Sequence, residues 1–540
     1  MGNQLSAYEE KPHEVDLGSK GRIKGVQYDA KARRYAGVPY ALPPVGAHRW
    51  RKPRPLPNSY SYTQEDGSPF DALKFRPICP QGTFASSAEK DKGPENYSED
   101  CLMLNIWTPV EERKNGKKWP VVLWLHGGWF QLGEPLQELG MDPTEMISTG
   151  GLNAIVIGIG YRLNIFGFLA GEALLEDSNG ESAGNFGLWD QRLAMEWVYE
   201  NIAAFNGDIN NITLGGRSAG AYGVHAQVLH DFQRETQLFH RFYMYSNAIP
   251  AQPKALPDVN PQFDELCEHF NIATNISGPE KLDELRKVEY RDLIAVIPRL
   301  KNHTFRPVTD NIFIHSGFTK YHHSGAFAEE FKKRKLRILI GEVLNEETLY
   351  ATYNAPEPNL ASLEMQVANY YSHETTKRVL SSYKLPVGSD PVEWKTLFGG
   401  IIADGQVRAP SRWLVNCLSK HGVPLRDIWR YQIAYRLSFI TDKVAPTAWG
   451  VSHAMDKPFW NFAILHGPTQ AERPLMEDWI RNFVAFVQDD QEYDFGTKAI
   501  DEMKVATQQG SIEIQQDARW GELVKLGEVF ADDHPSQDDA

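Results

Sequence analysis

The sequence predicts an α/β fold, a central, mostly parallel twisted sheet flanked by helices and interrupted by helical cap insertions. Three observations carry this expectation. Short apolar runs alternate with helical patterns along most of the 540 residues, the rhythm of successive βαβ units. No internal repeat and no low-complexity linker divides the chain, and its length suits one large α/β domain with insertions. Apolar residues make up 42% and aromatic residues 11%, with 14 Trp, enough for a sizeable core.

The apolar runs predict strands at Val121–Leu125, Ala154–Gly160, Ile212–Leu214, Phe242–Tyr245, Leu336–Ile340 and Trp429–Ile433. Helical periodicity follows several of them. From Leu188, the spacing of Leu188, Met195, Val198 and Ile202 puts four apolar side chains near one helix face, and "MEDWIRNFVAFVQ" from Met476 repeats that pattern. A charged, helix-rich stretch from about Ala251 to Pro298 breaks the strand rhythm and reads as an inserted cap, placed near 251–335. The organisation expected is a polar start over 1–20, one domain over 21–529 and an acidic tail over 530–540, whose "DDHPSQDDA" reads as a disordered end.

The formal charge of −14 argues against nucleic acid as a partner. No run of about 18 apolar residues predicts a transmembrane helix, and no secretory signal is evident at the start. The cysteines Cys79, Cys101, Cys267 and Cys417 have no zinc-site spacing, so no metal is implied, and a cytoplasmic, reduced protein is expected. "MGNQLS" fits the pattern for myristoylation at Gly2, but a single acyl chain anchors weakly and acidic Glu9 and Glu10 follow it.

The chemistry is signalled by "NITLGGRSAGAYG" from Asn211 to Gly223. Ser218 stands between Gly216 and Gly220 where a predicted strand turns into a predicted helix. A serine hydroxyl needs an exposed position and a base to become a nucleophile, and small residues two before and two after it let the backbone turn sharply. A glycine-rich turn with a capping serine would look the same, so context decides. It is supplied by "VVLWLHGGWFQLG", in which a strand ends in His126-Gly127-Gly128. Exposed backbone N–H groups there would suit the charge that develops on a carbonyl oxygen in acyl transfer. The base and an acid should follow in the order serine, acid, histidine. His453, in a Gly- and Ser-containing loop after the last strong strand, is the candidate among 16 histidines. Glu342, Glu346 and Glu347 are all open as the acid, with Asp310 and Asp404 behind them.

Read together, "YAGVPYALPPVGAHRW", "EDCLMLNIWTP", "YRLNIFGFL", "GNFGLWDQRLAMEWVYENIAAFNGD" and "NITLGGRSAGAYG" resemble the type B carboxylesterase and cholinesterase-like family of α/β-hydrolases. The resemblance runs from about Gly21 to the last long helical pattern. It implies an α/β-hydrolase fold, Ser218 as nucleophile, Glu346 as acid by its count from Gly341, and His453 as base in a G-x-x-H-x-x-D block of Gly450, His453 and Asp456. It implies an oxyanion hole of the Gly128, Trp129 and Ala219 backbone N–H groups. It also pairs Cys79 with Cys101, whereas Cys267 has no nearby partner for the family's second disulfide.

Three departures stand out. Trp129 replaces a glycine, so its indole could narrow the site. Arg217 replaces an acidic residue beside the serine; it either faces the substrate pocket, where it would suit an anionic group, or turns away to a structural carboxylate. The segment Cys79–Cys101 contains no Trp, which argues against a quaternary-ammonium site of the cholinesterase kind. The activity implied is hydrolysis of small carboxylic esters, with an apolar portion and without a cofactor, through an acyl-enzyme. The alternatives are acyl transfer, lactone chemistry or elimination with the same residues, or a binding protein without catalysis.

Overall fold

A computed structural model of the chain describes residues 8–82, 93–113 and 116–531. Gly2 and the acidic residues 532–540 lie outside them. The main sheet contains strands β1 (Glu10–Asp16), β2 (Arg22–Tyr28), β3 (Ala32–Pro39), β4 (Met103–Pro109), β5 (Trp119–Leu125), β6 (Ile155–Ile159), β7 (Gly207–Arg217), β8 (Arg241–Tyr245), β9 (Ile338–Val343), β10 (Ile428–Ile433), β11 (Glu502–Ala506) and β12 (Ile512–Gln516). Their order across the sheet is β1-β2-β3-β4-β6-β5-β7-β8-β9-β10-β11-β12. The block from β6 to β11 is parallel, and antiparallel strands continue it on both sides.

The apolar runs of the parallel block follow from its burial on both faces. Side chains alternate between faces along a strand. Val121, Leu123 and Leu125 therefore enter one core with Ile155, Ile157, Ile212 and Leu214, while Val122 and Trp124 enter a second with Val156, Tyr243 and Tyr245. Helices α1 (Phe186–Asn201) and α2 (Ala219–Asp231) cover the first face. Leu188, Met195, Val198 and Ile202 are all buried there.

The segment expected to form a cap contains α3 (Leu256–His269), α4 (Gly278–Arg286) and α5 (Tyr290–Val296). Sequence patterning gave no sign of a second helical insertion between β9 and β10. It includes α6 (Pro391–Ala403), a π-helical turn at Asp404–Arg408 and α7 (Ala409–Lys420) around a third apolar cluster with Tyr350, Tyr371 and Phe398. The second face of the sheet is covered by α8 (Glu472–Gln488), through Met476, Trp479 and Phe483. The last helix, α9 (Trp520–Ala531), buries Phe530 and Ala531 and so carries ordered structure past residue 529.

Cys79 and Cys101 form a disulfide with a Cα–Cα distance of 5.0 Å, while Cys267 and Cys417 are free and buried. The bonded state agrees with the pairing that the family resemblance implies and stands against the reduced state expected of a cytoplasmic chain. Among the described residues, no helix is long and apolar enough to cross a membrane.

Candidate active site

Strand β7 ends in two glycines and Arg217, and the chain then reverses at Ser218 with φ 55° and ψ −125°. Such a backbone is rare outside glycine and costs about 1–3 kcal/mol, which the surroundings must offset. The Ser218 N–H donates to the Tyr245 carbonyl at 2.8 Å, tying the turn to β8. Close backbone approach explains the flanking glycines. A Cβ on Gly216 would stand 2.4 Å from the Gly220 carbonyl carbon, and one on Gly220 would stand 2.0 Å from the Leu125 oxygen. Helix α2 starts immediately at Ala219, whose N–H belongs to the first turn and has no intrahelical acceptor.

The loop after β5 lies directly against this turn. A Cβ on Gly127 would meet the Arg217 oxygen at 2.7 Å and the Ser218 Cβ at 3.0 Å. Gly128, Trp129 and Phe130 all take positive φ, at 112°, 56° and 64°, so the loop coils tightly beside the serine. His126 stacks on Tyr161 with ring centroids 4.3 Å apart. Burial lowers its pKa to about 4, leaving a neutral ring at pH 7.

Two further loops meet at His453. Its Nδ1 lies 2.5 Å from the Glu346 Oε2, and the Val343 N–H donates to the other carboxylate oxygen at 2.9 Å. Glu346 is completely buried. The two loops are fastened together: Asn345 N–H donates to the Val451 carbonyl at 2.9 Å, Val451 N–H to the Asn345 Oδ1 at 3.1 Å, and Thr348 Oγ1 to the Ser452 Oγ at 2.8 Å. Gly450 is required there, because φ is 61° and a Cβ would lie 2.2 Å from the Asn345 Oδ1. His453 Nε2 is buried and has no hydrogen-bond partner among the described residues, Ser218 included.

Partners sort the other acids. Glu342 accepts from both terminal nitrogens of Arg412, at 2.6 and 2.9 Å, and Glu347 pairs with Arg408. Asp310 receives the N–H groups of Ile312, Phe313 and Ile314, and Asp404 pairs with Arg408 and Arg519. Only Glu346 of these five contacts the histidine.

Of the two orientations open to Arg217, the structure has the inward one. Its Nη2 lies 3.1 Å from the Asp456 Oδ1, at an angle outside hydrogen-bond geometry, so the attraction is Coulombic. The guanidinium carbon sits between Trp124 and Tyr245, 5.7 and 5.4 Å from their ring centroids. The assignment of Arg217 to the substrate pocket is thereby corrected: both partners are buried, and a buried cation is held where a carboxylate can neutralise it. The Trp129 indole packs against Tyr350 and Tyr353, with centroids 6.2 and 5.6 Å away, and Tyr370 joins the same apolar cluster. Tyr350 in turn lies 5.3 Å from the His453 ring. Sequence reasoning missed Tyr350 and Tyr370 because both come from the second insertion; the Tyr370-Tyr371 pair was the only local signal.

Comparisons with known proteins agree with this architecture. A match to the carboxylesterase family spans residues 11–527. An uncharacterized esterase/lipase of Schizosaccharomyces pombe is 38% identical over 535 residues, covering 96% of this chain and 97% of its own length. A carboxylic ester hydrolase of Gibberella moniliformis is 35% identical over 547 residues and 98% of both chains. Among solved structures, a PNB esterase aligns over 95% of this chain and 99% of its own with a TM-score of 0.74 at 24% identity, a likeness of α/β-hydrolase fold. With relatives of this kind along nearly its whole length, the chain belongs to the carboxylesterase family and is a carboxylic ester hydrolase.

Proposed function

We propose that ester hydrolysis proceeds through an acyl-Ser218 intermediate, with His453 as the base and Glu346 as its orienting carboxylate. His453 Nε2 takes the Ser218 hydroxyl proton as Oγ attacks the ester carbonyl. The same proton then goes to the departing alcohol oxygen as the tetrahedral intermediate collapses. In the second half, His453 takes a proton from water, the resulting hydroxide attacks the acyl carbon, and Ser218 recovers its proton as the acid leaves. Glu346 fixes the tautomer with Nδ1 protonated and supports the imidazolium. The N–H groups of Gly128, Trp129 and Ala219 receive the oxyanion.

The observation that carries this reading is the completely buried Glu346 carboxylate at 2.5 Å from the His453 Nδ1, while Nε2 is left without a partner among the described residues. The Trp129–Tyr350–Tyr370 aromatic wall suits an apolar portion of the ester. Intact-mass measurement after fluorophosphonate treatment tests the assignment. A single adduct on the wild type and none on Ser218→Ala is expected; an adduct on both, or none on the folded wild type, overturns it.

A further inference from the structure

A narrow cavity of about 30 Å³ lies where the cap meets the second insertion, with Tyr222, Lys254, Arg306, Tyr370, Tyr371 and Gln406 in its walls. That space admits a few water-sized groups, enough for a carboxylate. It adjoins the catalytic loops. Tyr222 stands one helical turn after Ser218 and donates its N–H to the Ser218 carbonyl at 3.0 Å. The Gln131 side chain grips Phe305 from both sides, donating to its carbonyl at 2.5 Å and accepting its N–H at 3.2 Å. The residue next to Phe305, Arg306, is thereby positioned from the loop that carries Gly128 and Trp129.

Arg306 is held by neutral groups. Its guanidinium carbon lies 5.0, 5.7 and 6.0 Å from the ring centroids of Tyr370, Tyr222 and Phe130, and Nη2 donates to the Gln406 Oε1 at 2.8 Å. Lys254 donates to the Ala368 carbonyl at 2.5 Å. Among the described residues, neither cation forms an ion pair. Arg162, Arg217 and Arg412, by contrast, each face a buried carboxylate. Asp258 acts on Lys254 without an ion pair, so two cations in one cavity, pre-oriented by aromatic rings and carbonyls and in contact with no carboxylate, are arranged for an anion that arrives from outside.

We propose that Arg306, supported by Lys254, binds a free carboxylate of the substrate, so that the preferred esters are those carrying a carboxylate on the portion lodged beside Ser218. This rests on Ser218 as the nucleophile, and it transfers to Arg306 the anion-binding role that Arg217 is placed too deep to fill. A planar carboxylate suits the guanidinium fork, whereas a neutral ester leaves both cations without a carboxylate in contact.

Matched esters test it. 4-Nitrophenyl hydrogen glutarate and 4-nitrophenyl pentanoate differ by the acyl-side carboxylate, and 4-acetoxybenzoate and 4-methylphenyl acetate by one on the alcohol side. The wild type is expected to favour the charged member of at least one pair by about tenfold or more in kcat/KM, mainly through KM. Arg306→Met is expected to reduce that preference at least tenfold, and Arg306→Lys, which keeps the charge, to retain part of it. Equal kcat/KM within both pairs in the wild type, or a preference left intact in Arg306→Met, overturns the proposal. Calorimetric binding of monoethyl glutarate and ethyl pentanoate to Ser218→Ala separates it from the nucleophile assignment. Tighter binding of the half-ester, lost in Ser218→Ala/Arg306→Met, supports the anion site even where fluorophosphonate labelling fails; equal binding overturns it.

Discussion

The Arg217–Asp456 pair offers a quantitative perturbation. Arg217 is 3% exposed and Asp456 not at all, and the pair joins the turn that presents Ser218 to the loop that presents His453. Asp456→Asn keeps size and can still accept from the Trp460 indole N–H, now 3.0 Å from Oδ2, but it leaves the guanidinium buried without a counter-charge. Removing one partner of a buried pair costs about 3–5 kcal/mol. For 540 residues, an unfolding entropy of about 2.1 cal/mol/K per residue makes 1 kcal/mol worth about 0.9 °C, so the midpoint should fall by roughly 3–4 °C. Calorimetry measures this directly. Because the pair spans the serine and histidine loops, kcat should fall more than KM rises. The variant Arg217→Met/Asp456→Leu removes both charges and should recover most of the stability, since apolar replacements of a buried pair are often neutral or better. An Asp456→Asn midpoint within 1 °C of wild type, or a double variant as unstable as the sum of the two single ones, would refute the reasoning.

Glu346→Gln should reduce kcat by on the order of 10³–10⁴-fold with the fold intact, as expected when a base loses its orienting carboxylate, whereas Glu347→Gln should retain activity near wild type in the same ester assay. Glu342 gives a pH prediction: burial pushes its carboxyl up, but the charges and hydrogen bonds of Arg412, with Arg408, outweigh this and hold it below the ordinary 4.5. The unfolded chain therefore binds that proton first, so the contribution is complete above pH 4.5 and is lost as pH falls below it. Melting midpoints should fall less steeply as pH drops below 4.5 in Glu342→Gln than in the wild type. Gly220→Ala should abolish ester turnover, because its Cβ would lie 2.0 Å from the Leu125 oxygen in a turn with nowhere to move; full activity in a purified, folded variant would contradict that packing. Reduction of Cys79–Cys101, which closes a loop of separation 22, should lower stability by about 3 kcal/mol, read as a drop in the denaturation midpoint with dithiothreitol.

How far the sequence can be read depends on how far each signal is local. The parallel strands β5 to β10 were legible because two-sided burial writes them as apolar runs, whereas β11, whose short EMKVA sequence carries Glu502 and Lys504, was not. Strands β1 and β12 were not, since most of their residues face solvent and their charged, mixed sequences are what an edge needs to avoid pairing with another chain. The serine turn was legible because its glycines are demanded by contacts within a few residues, such as Gly216 against Gly220. The choice of acid was not, because Glu342, Glu346 and Glu347 stand in one short stretch and differ only in distant partners: Arg412, His453 and Arg408. Only the family resemblance could separate them before the fold was known.

Arg217 shows the same limit at a functional position. In sequence it is simply a cation beside Ser218, and either a substrate anion or a structural carboxylate would satisfy it. Its partner lies 239 residues further on, in the histidine loop, and the rings that sandwich it come from two neighbouring strands. A charge next to Ser218 thus ties the serine turn to the histidine loop. Meanwhile Arg306, which no motif marks, is set in the cavity by Gln131, from the loop that follows β5, through its bonds to Phe305. On the proposal above, specificity for a charged substrate group comes from what the cap brings over the sheet rather than from the residue adjoining Ser218. That is why exchanging Arg306 should alter which ester is chosen, while exchanging Asp456 should alter how fast any ester is turned over.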